Sequence, residues 1–219
     1  MAEAIFLSAG VPDPRRGPEY AATADCAAIT AAVSALIHVV LGRRPLVWGG
    51  HPAITPMIVL VAEDLGVEYG QWVSLYQSRF FAEEFPEDNA KFHNVTYVEA
   101  VAGEREESLL AMRRRMFTEN EFQAAVFIGG MGGILDEYEL FRSLQPHAHV
   151  LPVASTGGAA LKVADRIPDL PPELINELDY VTLFHRLLGI SGREQRFPSP
   201  KMQPANVEDR YWQRLKPRQ

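Results

Sequence analysis

Four glycines in five residues, Gly129-Gly130-Met131-Gly132-Gly133, follow an apolar run, and two acids, Asp136 and Glu137, come just after them. These residue types at this spacing suit recognition of an anion joined to a sugar. Glycines let the main chain turn tightly and keep Cβ atoms out of a ligand's way. A helix that opens directly after the turn aims unpaired N–H groups and its positive dipole end at a phosphate. A carboxylate in its first turn can accept from the hydroxyls of a ribose. The same carboxylate could act as a general base, or stabilise an oxocarbenium ion during N-glycosidic cleavage. One member of the run Arg113-Arg114-Arg115 is expected to turn inward toward the glycine turn, with the other two solvated. A tight turn followed by ordinary dipole-favoured acids would give the same letters. Recurrence of the pattern elsewhere in the chain argues for a ligand.

The pattern recurs twice. Strand-like PLVW ends in Gly49-Gly50-His51-Pro52-Ala53-Ile54-Thr55-Pro56, where Thr55 and Pro56 suit a helix N-cap and first helical position. His51, between a glycine pair and a proline, either touches ligand or fills the turn. The run AHVLPV ends in Ala154-Ser155-Thr156-Gly157-Gly158, where the Ser155 and Thr156 hydroxyls can donate to phosphate. The first strand, AIFLSA, runs into a long loop with three prolines and two glycines, and Ser8, Gly10 and Asp13 sit at its start. Arg15 or Arg16 from that loop could pair with a phosphate. Gln77 ends the third strand. All of these positions fall at the carboxyl ends of strands, where open α/β sheets bind ligands. The first strand is not followed by G-x-G-x-x-G, which disfavours a dinucleotide dehydrogenase. The chain also lacks the G-x-x-x-x-G-K-[ST] of a P-loop NTPase.

The elements that must hold these residues alternate strand with helix. Strands are predicted at 4–9, 45–48, 71–77, 95–101, 125–128 and 148–153. Asp25 is predicted to cap a helix running to about Leu41, with Ile29, Val33, Leu36, Ile37 and Val40 on its apolar face. A charged helix is expected over 104–121, with acids leading and arginines trailing, and another from about Ile134 to Leu144. A single final helix is expected over 171–189, with Leu174, Leu178, Val181, Leu183, Phe184 and Leu187 apolar. Residues 80–94, which carry four phenylalanines, read as a lid, an interface loop, or a surface loop anchored by its aromatics. The alternation predicts an α/β, Rossmann-like, mostly parallel sheet with helices on both faces. One domain is expected over 1–189. Residues 190–219 are expected to be a tail that wraps a neighbour, belongs to the same domain or is partly disordered.

The chain has 219 residues, 47% hydrophobic and 22% charged, enough for a sizeable core. A formal net charge of −7 argues against nucleic-acid or anionic-membrane partners, though a local basic pocket remains compatible with phosphates. Cys26 is the only cysteine, so no internal disulfide and no cysteine-based metal site is expected. The pair His147-x-His149 lacks a third ligand nearby and reads as structural. No cofactor and no metal are expected. No signal peptide is read at the start, and the apolar stretch 27–41 is too short to span a bilayer, so a cytoplasmic protein is expected.

The segment AVFIGGMGGILDE resembles the P-G-G-x-G-T-x-x-E motif of the LOG family, the cytokinin-activating nucleotide phosphoribohydrolases often labelled lysine-decarboxylase-like. Over about residues 4–189 the chain looks closer to prokaryotic members of the wider SLOG superfamily. Those share an SA-x-x-P-D stretch, here Ser8–Asp13, and a GGHPAIT-like stretch, here Gly49–Thr55. The resemblance implies a protein that senses or processes a nucleotide-derived ligand, including ADP-ribose-type signals in bacterial conflict and antiphage systems. It places Arg113-Arg114 at the family's Arg-Lys pair, and Asp136 at its catalytic glutamate with Glu137 one step on. Three departures stand out: Ile128 replaces the motif proline, Gly133 its threonine, and Leu135 the first of its two acids. The lost threonine removes a phosphate-binding hydroxyl and the lost acid weakens the case for hydrolysis.

Binding or sensing is therefore the expectation. The alternative is an N-glycosidic hydrolase, or a nucleoside deoxyribosyltransferase-like enzyme, using Arg113 with Asp136 or Glu137. Homo-oligomers are implied, with segment 80–97 and the C-terminal tail as expected interfaces. A standalone sensor would also need a separate effector protein.

Overall fold

The computed structural model describes residues 3–212. Its centre is a six-stranded sheet, every pairing parallel. In chain order the elements are β1 (Ala4–Gly10), α1 (Pro18–Ala21), α2 (Cys26–Val40), β2 (Leu46–Trp48), α3 (Thr55–Asp64), α4 (Tyr69–Trp72), β3 (Val73–Ser78), β4 (Asn94–Val98), α5 (Arg105–Thr118), β5 (Phe122–Gly129), α6 (Gly132–Leu144), β6 (His149–Val153), α7 (Gly158–Ala164), α8 (Pro172–Asn176) and α9 (Tyr180–Leu187). Short 3₁₀ turns occupy Arg79–Glu84 and Glu87–Lys91. The strands lie in the order β4-β3-β2-β1-β5-β6. The chain builds outward from β1 in one direction, then returns to β1's other side at β5. This is the Rossmann-like α/β arrangement that the alternation predicts.

Alternation along each strand divides the core. Ile5, Leu7, Leu46, Trp48, Val126 and Ile128 face α2, α3 and α9. Phe6 and Phe127 face α5, α6 and α7, where Phe6 packs 4.8 Å from Phe117 and 5.6 Å from Phe141, centroid to centroid. Asp25 caps α2 as expected, accepting from the N–H groups of Ala27 (2.8 Å) and Ala28 (3.0 Å), a cap worth about 1 kcal/mol.

Several boundaries differ from the sequence reading. Strand β3 begins at Val73, because residues 69–72 form a helical turn that turns Trp72 away from the ladder. The Trp72 indole instead donates to the carbonyls of Phe197 and Pro198. Strand β4 stops at Val98, ahead of two residues with positive φ, Ala102 and Gly103. The expected final helix is two. Glu177 Oε1 accepts from the N–H groups of Leu178 and Asp179 at 2.9 Å each, and Asp179 then caps a new helix from Tyr180 by accepting from the Thr182 N–H. Those side chain–backbone bonds compete with continuous helix. They leave Leu178 and Val181 exposed, whereas Leu174, Leu183 and Phe184 are buried.

The chain after α9 packs back on α2 up to Trp212; positions 213–219 of the expected tail lie outside the described residues. Arg43 Nε donates to the Glu194 carbonyl at 2.8 Å, and Arg44 pairs with the Glu194 carboxylate at 2.6 Å. Arg210 lies 3.8 Å from the same carboxylate, which is 1% exposed. Arg43 and Arg196 donate to the carbonyls of Val39 and Leu41 at the end of α2, where cations suit the helix dipole. Burial, and then the charge of Arg43, push Arg196 down to about 10. Among the described residues no helix is long and apolar enough to cross a membrane.

Candidate functional site

The carboxyl ends of β1, β2, β3 and β5 open onto one cavity of about 420 Å³, within the range of small-molecule sites. It lies where the strand order reverses, between β1 and β5, the crevice that open α/β sheets use for ligands. Two loops meet there almost backbone to backbone. The Gly130 N–H donates to the Gly10 carbonyl at 2.7 Å, and a Cβ on Gly10 would lie 3.3 Å from Gly130 Cα. Gly130 has φ +70°, and a Cβ there would strike Ile134 at 2.1 Å, so only glycine fits.

The head of α6 faces this cavity. Helix α6 starts at Gly132, two residues earlier than the sequence suggests. The N–H groups of Gly132 and Gly133 have no acceptor inside the helix, as is general for a first turn. Gly130, Met131 and Gly133 line the cavity. Gly129 does not; its N–H donates to Thr156 Oγ1 at 2.9 Å. Gly132 lines an adjoining open hollow instead.

The two acids separate. Glu137 lines the cavity, where Ser8 Oγ donates to its Oε2 at 2.5 Å and Arg113 Nε lies 3.3 Å from its Oε1. Asp136, at the position the resemblance gives to a catalytic glutamate, lies one helical step round. It is 61% exposed, lines the outer hollow and meets only the flank of Arg113, at 3.5 Å. Arg113 is the inward arginine, 8% exposed, and also donates to the Gly133 carbonyl at 3.1 Å. Arg114 and Arg115 are exposed.

On the β2 side, Gly49, Gly50 and His51 line the cavity. His51 Nδ1 accepts from the Ala53 N–H at 3.2 Å. Burial, and then the charge of Arg16, lower its pKa below the ordinary value. The ring is therefore neutral near pH 7 with its proton on Nε2, a donor beside Gly10. Gln77 lines the wall as a brace: its amide donates to the Gly49 carbonyl at 2.8 Å and accepts from Asn89. Thr55 is not an N-cap. It lies inside α3, fully buried, with its hydroxyl donating to the His51 carbonyl at 3.1 Å. Asp13 lies at the rim and accepts from the Arg15 N–H; Arg16, not Arg15, lines the cavity.

The third glycine junction is closed over. Thr156 Oγ1 donates to the Val153 carbonyl, and Ser155 Oγ donates to the Glu177 carbonyl. Thr23 of the loop after β1 sits on the glycines: its Oγ1 accepts from the Gly158 N–H at 3.1 Å, and a Cβ on Gly157 would lie 1.9 Å from its carbonyl oxygen. Gly157 and Gly158 thus hold that loop in place, the Ser155 and Thr156 hydroxyls are bonded elsewhere, and none of the four lines the cavity.

Sequence reasoning missed several wall residues. Phe81 and Phe85 line the far side beyond β3, Leu109 and Met112 come from α5, and Arg105 stands at its first turn. The phenylalanine-rich segment gave a signal for the first two. Arg105 gave none, since a lone arginine among acids at a helix start reads as solvated. Among the described residues no group of histidines, cysteines and acids could hold a metal ion.

The arrangement offers backbone donors and arginines for an anion, a carboxylate for hydroxyls, a neutral imidazole donor and an apolar end. The family model described as the SLOG cluster3 family matches residues 19–188. No curated protein matches the chain.

Proposed function

The chain belongs to the SLOG cluster3 family, and from that premise we propose that it binds, as a sensor, a nucleotide-derived ligand of the nucleotide or ADP-ribose type. The observation that carries this reading is the cavity at the strand-order reversal, with the head of α6 and three arginines, Arg16, Arg105 and Arg113, at its walls. Phosphates meet the N–H groups of Met131–Gly133, and Glu137 accepts from ribose hydroxyls. The resemblance to conflict-system proteins supports a signalling setting, with a homo-oligomer of this chain and a separate effector reading the bound state.

A second reading, N-glycosidic hydrolase or transferase, is favoured by one observation. Among the carboxylates of the cavity wall, Glu137 is the one fixed from both sides, by Ser8 and Arg113. Each of its oxygens keeps a lone pair for a ligand hydroxyl. Asp136, at the position the resemblance gives to a catalytic glutamate, is 61% exposed and lines the outer hollow, which favours binding over turnover.

A thermal-shift screen with AMP, ADP-ribose, cyclic ADP-ribose and NAD, followed by chromatography of each mixture, tests both. A rise in Tm with the ligand recovered intact supports sensing, since binding to the native state stabilises it by mass action. A rise with free base released supports cleavage. No rise with any of the four rejects both. Arg16→Glu, at the exposed rim, is expected to weaken a phosphate-bearing ligand by about tenfold.

A further inference from the structure

We propose that Phe81 and Phe85 form a stacking subsite for a flat heteroaromatic base. The inference rests on the nucleotide reading above and adds which end of the cavity holds which part of the ligand.

The cavity is polarised along the sheet. Its donor-rich end is the head of α6, next to β5, and its aromatic end lies beyond β3. Strands β5, β1, β2 and β3 are consecutive neighbours. Three inter-strand spacings amount to about 14 Å. A sugar phosphate held at the α6 end would leave the far end empty. A nucleotide reaches across, and the portion that arrives there is its flat, largely apolar base.

Neither phenylalanine is part of the fold's interior. Both are half-buried and belong to neither core cluster. The chain on either side is nevertheless fixed. Before them, Ser78 Oγ accepts from the Phe80 N–H. After them, Asn89 is buried and donates to Gln77, and buried Phe92 packs on Tyr69. Between these anchors the 3₁₀ turn breaks at Phe81 (φ −103°, ψ 21°), and the next residues bring Phe85 to the same wall.

Each ring is backed by a neighbour. Phe85 stacks on Tyr97 with centroids 5.7 Å apart and planes 29° apart, and the Arg105 guanidinium stands 5.8 Å from the Phe81 centroid. Aromatic side chains are sequence-tolerant platforms for bases, and a neighbouring arginine can stack on the base or donate to its acceptors. Two supported aromatic rings and an arginine, unused by the core and turned to the far end of the cavity, are what a base requires.

The test is calorimetric titration of wild type, Phe81→Ala and Phe85→Ala with AMP and with ADP-ribose, each compared with ribose 5-phosphate. The expected result is a loss of affinity on the order of tenfold to a hundredfold for the base-containing probes, with ribose 5-phosphate unchanged. Phe81→Tyr should restore the affinity that Phe81→Ala loses. Equal loss for all three probes, or no loss for any, overturns the subsite. So does a wild type that binds ribose 5-phosphate as tightly as AMP and ADP-ribose, although the anion site then stands. A wild type that binds none of the three overturns the nucleotide reading and the subsite with it. If an alanine variant does not fold, Phe81→Leu and Phe85→Leu, which keep apolar bulk without a ring, give the same comparison.

Discussion

Ser8 and Glu137, 129 positions apart, meet with Oγ 2.5 Å from Oε2. Ser8 lies two residues before the end of β1; Glu137 stands in the second turn of α6. Their contact closes the angle between β1 and α6 and holds the carboxylate at the cavity wall, with Arg113 on its other side. This contact separates Glu137 from its neighbour Asp136 in energetic terms as well as in place.

Glu137→Gln should remove the main counterion of a buried arginine, lowering stability by roughly 2–3 kcal/mol. For a chain of this size that is a fall in Tm of about 4–10 °C. Asp136→Asn should stay within about 0.5 kcal/mol of wild type. Thermal unfolding of the two variants side by side checks this, and an equal fall in both would contradict the placement of the acids.

The glycine junctions should separate by mutation too. Gly157→Ala sets a Cβ 1.9 Å from the Thr23 carbonyl oxygen at φ +67°, and should cost about 3 kcal/mol or more. Gly66→Ala has a similar φ of +64° with nothing within 4 Å, and should cost only about 1–2 kcal/mol. Urea denaturation measures both. Near-equal costs would mean that the loop after β1 does not press on the third junction.

His51 and His38 should make the fold acid-sensitive. Burial lowers both below 6.5, helped by Arg16 for His51 and chiefly by Arg196 for His38. As pH falls below 6.5, the unfolded chain takes up protons that the native chain refuses. Stability is therefore complete above that value and falls with pH down to the native-state value. Denaturation at about pH 7.5 and about pH 5.5 should show wild type losing more than His51→Gln, which keeps only the His38 share. Identical losses would remove His51 from this account.

Glu194→Gln should be more damaging than its position near the end of the chain suggests. It leaves Arg44 and Arg210 around an uncharged, fully buried amide. A loss of roughly 3–5 kcal/mol is expected, with limited proteolysis cutting after Arg193 or Arg196 far sooner than in wild type. Unchanged protease resistance would show that the tail is held without this carboxylate.

Much of the scaffold could be read directly from the residues. Strands β1, β2 and β5 are short apolar runs closed by glycine, and α2 carries both its cap and its period. What could not be read depends on direction and on distant partners. A helix turns about 100° per residue, so whether Asp136 or Glu137 enters the cavity is set by where α6 begins and by what β1 offers across from it. Ser155 and Thr156 have the composition of a phosphate loop, and only their distant partners, Glu177 for Ser155 and Gly129 for Thr156, show that the hydroxyls are already bonded. The break at Glu177 looks helical letter by letter, because its cause is two side chain–backbone bonds. The aromatic richness around Phe81 and Phe85 marks the segment, but with no regular period it leaves open which of its rings turn to the cavity.

The tail's grip on α2 also sets the order in which this chain can finish. The carbonyls of Val39 and Leu41 receive their arginine donors from Arg43, four residues on from Val39, and from Arg196, 155 residues after Leu41. On a ribosome, Leu41 is made 155 residues before Arg196, so the end of α2 waits that long for this bond. Closing so long a loop is slow. Docking of residues 190–212 on the end of α2 therefore cannot be completed before residue 196 is made, and a chain stopped short of it would leave the Leu41 carbonyl without this donor.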